Sequence, residues 1–118
     1  MASVLDPAVV DQLRALARAG NPDLLERLQA SFARDTPERL RALRSAVAAG
    51  DADAVAFSVH TLKGSAANLG AIEIVATCEE IESSPGAPVA QALEPLLMAL
   101  ERNAADAQAE LAMIAGAG

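Results

Sequence analysis

From Val89 onward, apolar and small residues return every three or four positions: Val89, Leu93, Leu96, Leu100, Ala104, Ala107, Leu111 and Ile114. That spacing matches the turn of an α-helix and predicts one long amphipathic helix at the end of the chain. An apolar stripe of this length must be covered by other elements. The rest of the chain supplies partners in the same form. Val9, Leu13 and Leu16 make a short stripe that starts after Asp6-Pro7, an N-cap followed by proline at the first helical position, and stops before Gly20-Asn21-Pro22. A second helix starts near Asp23 and carries Leu25, Leu28, Phe32, Leu40, Leu43 and Val47, with Thr36 filling the gap, as far as Gly50. Its spacing keeps phase across Pro37, which predicts one long helix kinked there rather than a fresh start at Thr36.

A third helix begins at Asp51 or Asp53 and ends near Gly70. A fourth runs from about Ala71 to Ile81, with Ile74, Val75, Cys78 and Ile81 inward and Glu79, Glu80 and Glu82 outward. The breakers of Ser83-Ser84-Pro85-Gly86-Ala87-Pro88 form a loop. Pro95 bends the last helix early, and the tail from Ala115 frays. No segment alternates with period two between turn signals, so a sheet has no support. The expected fold is all-α, a single domain over residues 1–118. Four helices form an up-down antiparallel bundle, and a short additional N-terminal helix covers one end.

Composition agrees with that architecture. Apolar residues make up 53% of the 118-residue chain and aromatics only 2%, Phe32 and Phe57, so the core is built from Leu, Val, Ile and Ala. A lone cysteine, Cys78, excludes an internal disulfide, and one His with one Cys excludes an ordinary zinc site, so no metal is expected in this chain. The N-terminus lacks the basic and apolar stretches of a signal peptide, and no run approaches the roughly 18 apolar residues of a membrane span. These features predict a cytoplasmic location, and Met1 favours a free-standing protein. A net charge of −7 argues against nucleic acid and anionic membranes as partners. The charge is uneven: residues 1–71 hold 8 acids and 8 bases, whereas 72–118 hold 8 acids and Arg102 alone. The acidic half reads as a solvated face.

Chemistry concentrates in the third helix. His60, the only histidine, precedes the only lysine, Lys63, by three residues and Gly64 by four. Residues so spaced share a helix face. At about 100° per residue, the apolar stripe Val55, Val59, Leu62, Ala66 and Leu69 is centred roughly 140° from His60, so the imidazole points away from the core. Asp53, Ala56, Lys63, Gly64 and Ala67 surround it on the open side. Apart from Asp53 and Lys63 these neighbours are tiny, which predicts a shallow surface with one reactive ring on it. Imidazole is a good nucleophile near neutral pH. Glycine inside a helix costs about 1 kcal/mol relative to alanine, and room for another molecule beside the ring would account for it. Ser65 and Asn68 turn away from the ring and read as structural, Gly70 as the helix end, and Cys78 as a small core residue.

The run His60-Thr61-Leu62-Lys63-Gly64-Ser65-Ala66-Ala67-Asn68-Leu69-Gly70-Ala71 closely resembles the motif of histidine phosphotransfer (HPt) domains, with no departure within it. The segments Phe32–Pro37 and Cys78–Glu82 are similar to the stretches that flank the motif in such domains. The resemblance implies that His60 accepts a phosphoryl group on Nε2 from the aspartyl phosphate of one receiver domain and passes it to another. It implies that Lys63 offsets the phosphoryl charge, that Gly64 admits the partner, and that Asp53, Ala56 and Ala67 belong to the docking surface. The implied partners are response-regulator receiver domains and a hybrid sensor histidine kinase, met by a monomer. No cofactor is implied in this chain, and Mg²⁺ is expected in the partner receiver. Nothing resembles a nucleotide site, so kinase activity is not expected. The alternative is a non-catalytic helical docking module that regulates a receiver or kinase without phosphoryl flux. The retained His60, Lys63 and Gly64 speak against it. A small-molecule enzyme lacks the convergent polar groups it would need.

Overall fold

Three local devices divide the chain into its helices. Asp6 accepts a hydrogen bond from the Ala8 N–H at 2.9 Å and caps α1 (Pro7–Arg18), with Pro7 in the first turn. Gly50 takes the left-handed conformation at φ 66° and ends α2 (Leu24–Ala49), after which Asp51 caps α3 (Ala52–Leu69) by accepting from the Ala54 N–H at 3.1 Å. Gly70, at φ 73°, ends α3 in the same way. A Cβ at Gly70 would lie 2.8 Å from the Val9 Cβ, so both the conformation and the space require glycine there. α4 (Ile72–Glu82) follows at once, and α5 (Ala90–Ala117) completes the chain. The computed structural model describes residues 4–84 and 90–117. The expected positions of Pro85 to Pro88 in a loop, and of Val89 on the last apolar stripe, lie outside the described residues, as does Gly118.

The helices pack in a closed cycle, α2 against α3, α3 against α4, α4 against α5 and α5 against α2, which is the expected four-helix bundle. α1 lies on α2 and α3. All five residues of the α3 stripe are buried, and so are Leu93, Leu100, Ala104, Ala107 and Leu111 of α5. α2 runs unbroken through Pro37, with Phe32, Thr36, Leu43 and Val47 buried on one side. α5 likewise runs unbroken through Pro95, and it extends to Ala117 where fraying was expected from Ala115. In α4, Thr77 is fully in the core beside Cys78, and Val75 is only half-buried.

The phase of α1 differs from expectation. Leu16 is 53% exposed, while Val10 is buried and Leu13 half-buried. The cause is long-range. Leu5 forms an antiparallel bridge with Ala71, and the Asp6 N–H donates to the Gly70 carbonyl at 2.7 Å, which sets the rotation of the helix that follows. Polar ties then fix the helix pairs. The Arg44 guanidinium of α2 forks onto Glu94 and Glu101 of α5 at 2.7–3.1 Å. Arg39 Nη1 donates to Ser65 Oγ across α2 and α3 at 2.6 Å. Asn103 Nδ2 of α5 donates to Thr77 Oγ1 of α4 at 2.7 Å and to the Glu73 carbonyl at 3.1 Å. Among the described residues no helix is long and apolar enough to cross a membrane.

Candidate functional site

The middle of α3 presents the site. Val55, Val59, Leu62, Ala66 and Leu69 hold one side of the helix in the core, each 7% exposed or less. Helical geometry turns the opposite side outward, and there His60, Asp53, Ala56, Gly64 and Ala67 are all exposed. A Cβ built on Gly64 would meet nothing within 4 Å. The glycine therefore leaves an open notch one turn beyond the imidazole, and its backbone is not one that glycine alone can adopt. The outward turn of His60 and the open space at Gly64 are as the sequence predicts.

Lys63 departs from the expected picture. Its ammonium does not stand free beside His60 but pairs with Glu82 at the end of α4, Nζ to Oε1 at 2.6 Å. The hydrogen bond that Lys63 donates to Glu82 is the main reason that its amine is held above the ordinary lysine range. The direction follows from helical phase. Lys63 lies on the α4 side of His60, whereas Ser65 lies on the α2 side, where it meets Arg39. Ser65 is thus a structural tie, as expected. Asn68 is exposed instead, at a shallow groove that it shares with Ser31, Asp35 and Arg39 of α2.

The surface beside the ring is also not made only of tiny neighbours. Phe57, one turn before His60, is 73% exposed. The angular count that places Gly64 on the open face puts Phe57 only about 60° from His60. Helical phase alone thus places this large ring on the open face. The Thr61 hydroxyl donates to the Phe57 carbonyl at 2.9 Å within the helix. The result is an exposed imidazole between an apolar ring toward α2 and an ion pair toward α4. Beneath the pair, Cys78 is buried and its thiol is pushed up to about 11 by that burial, so it stays protonated and takes no part at neutral pH.

Such a face can offer one nucleophilic nitrogen to a macromolecule that approaches along the helix. The imidazole stands on an exposed helix face rather than inside a cavity, and the groove at Ser65 and Asn68 lies toward α2. Comparison with known proteins agrees. No curated protein matches the chain in sequence. Among solved structures, the crystal structure of histidine-containing phosphotransfer protein B (HptB) from Pseudomonas aeruginosa PAO1 is similar, with a TM-score of 0.78 and 28% sequence identity. The match covers 100% of this chain and 99% of that one. The family model of the Hpt domain matches residues 27–113, a span that takes in α3 with His60 and the helices packed around it. With three-quarters of its length matched by that model and its whole bundle superposable on such a protein, the chain belongs to the Hpt domain family.

Proposed function

We propose that His60 is the phosphoryl-carrying residue of this Hpt domain. The chain is a phosphorelay histidine phosphotransfer intermediate. The observation that carries the residue assignment is the exposure of the only imidazole on the side of α3 opposite five buried residues. The Nε2 lone pair attacks the phosphorus of a receiver aspartyl phosphate while the ring proton sits on Nδ1. The N–P bond forms as the acyl P–O bond breaks, and the electron pair leaves with the aspartate carboxylate. Transfer onward runs the same exchange in reverse with a second receiver.

Neighbouring residues divide the remaining work. Gly64 lets the receiver bring its aspartate within bonding distance, which matters because reaction needs the two atoms about 3–3.5 Å apart. Lys63 lies one turn from the ring and, shared with Glu82, partly offsets the charge of the phosphoryl oxygens. Asp53, Ala56 and Ala67 form the docking surface, and Phe57 adds an apolar contact to it. Mg²⁺ belongs to the receiver. The partners are receiver domains and a hybrid sensor histidine kinase, and the protein acts as a cytoplasmic monomer.

The test is His60→Gln. Surface substitutions away from packing stay within about 0.5 kcal/mol, so helical circular dichroism and melting are expected to hold. Acid-labile label from a phosphorylated receiver is expected to vanish. Label that persists in this variant, or base-stable label on another residue, overturns the assignment.

A further inference from the structure

The only lysine of the chain is committed to a carboxylate. Lys63 Nζ and Glu82 Oε1 are 2.6 Å apart, and the two side chains are 29% and 34% exposed, so the pair is partly shielded between α3 and α4. Lys63 is also the cation one helical turn from His60. A phosphoryl group on His60 would bring a dianion to a neighbourhood whose nearest helical cation is already taken. Any contact between the dianion and Lys63 must compete with Glu82, and the Glu82 carboxylate repels the same dianion. Both effects have the same sign.

We infer that Glu82 is a positioning residue that keeps Lys63 from fully neutralising phospho-His60, and so holds the phosphoryl group in a readily surrendered state. A carrier gains from this arrangement. A group bound too well would stay on His60 and never reach the second receiver. The inference rests on the assignment of His60 as acceptor, and it assigns to α4 a function that the motif on α3 does not contain.

Phosphoramidate serves as the probe because it needs no partner protein. The imidazole takes the phosphoryl group as the P–N bond of phosphoramidate breaks and ammonia leaves with the electron pair. At a fixed ratio of phosphoramidate to ammonium, the fraction of phospho-His60 by intact mass reads the equilibrium directly. Glu82→Gln keeps the shape of the side chain and removes its charge. It is expected to shift the equilibrium toward phospho-His60 about two- to fivefold, the range that an exposed ion pair supports. Glu82→Asp keeps the charge and is expected to restore the parent ratio. Glu80→Gln removes one charge from the same helix at an exposed carboxylate that, unlike Glu79, does not act on Lys63, and a markedly smaller shift is expected.

The decisive comparison repeats Glu82→Gln in a Lys63→Ala background, where most of the gain should disappear. An unchanged or lowered phospho-His60 fraction in Glu82→Gln overturns the inference. So does a gain of equal size without Lys63, or an equal gain from Glu80→Gln. If the parent takes no label on His60, the assignment of the acceptor fails first and the inference falls with it.

Discussion

Replacing Gly64 by glutamine should separate folding from function in one step. Gly64 is exposed, its backbone is ordinary helix, and a Cβ there meets nothing within 4 Å. Glutamine is a far better helix former than glycine, so the folded state gains about 0.5–1 kcal/mol. For a domain just above 100 residues that corresponds to a rise in melting temperature of roughly 2–4 °C. The site should respond oppositely. Gly64 lies four residues beyond His60, about 6 Å along the axis. Helical side chains lean toward the N-terminus, so a glutamine at 64 covers the turn that carries the imidazole. A partner held off by even about 1 Å can lose on the order of a hundredfold in rate. The assay is phosphoryl transfer from the phosphorylated receiver that labels the parent protein, run beside labelling by phosphoramidate and thermal melting. The expected result is a higher melting temperature, transfer from the receiver down by about a hundredfold, and a much smaller loss with the small donor. A lower melting temperature would show that Gly64 is packed rather than open. Undiminished transfer would falsify the access argument.

Two further outcomes follow, one from the same face and one from the polar tie between α2 and α5. Phe57→Ala should leave melting unchanged or slightly raised, since the ring is 73% exposed and alanine favours helix, while receiver affinity falls about tenfold; equal affinity in a titration would remove Phe57 from the docking surface. Arg44→Gln should lower stability by about 1 kcal/mol at neutral pH, a figure already reduced for the partial exposure of the pair with Glu94 and Glu101. Hydrogen bonding to Arg44 holds Glu101 below its ordinary value of 4.5, so this stabilisation is full above that pH and is lost as pH falls through the depressed value; a melting difference from the parent that stays constant into strong acid refutes it.

The parts of this protein legible in its sequence are those set by one helix at a time. The α3 stripe from Val55 to Leu69 and the outward turn of His60 follow from the period of the helix, and the structure places them as that period predicts. Gly50 and Gly70 mark real helix ends for the same local reason. What depends on two elements meeting was not legible. The rotation of α1 is fixed by Leu5 and Asp6 against Gly70 and Ala71, residues more than sixty positions apart, so Leu16 faces solvent. The partner of Lys63 depends on the register of α3 against α4, which no spacing within α3 encodes. Arg44 meets Glu94 and Glu101 for the same kind of reason. The outward position of Phe57, by contrast, follows from the period of α3 alone.

The placement of the two phenylalanines has a practical consequence. The chain contains no tryptophan or tyrosine, and Phe32 and Phe57 are its only phenylalanines. One ring is sealed between α2 and the core at 7% exposure, and the other stands in solvent at 73% beside the histidine. Fluorophenylalanine labelling would therefore give two fluorine resonances with separate meanings. The Phe32 signal reports whether the bundle is intact, and the Phe57 signal is expected to shift when a receiver seats on the proposed docking surface. A single titration spectrum then distinguishes a variant that has lost its partner from one that has lost its fold, with one fluorine atom on the Phe57 ring as the sole change to the surface under study.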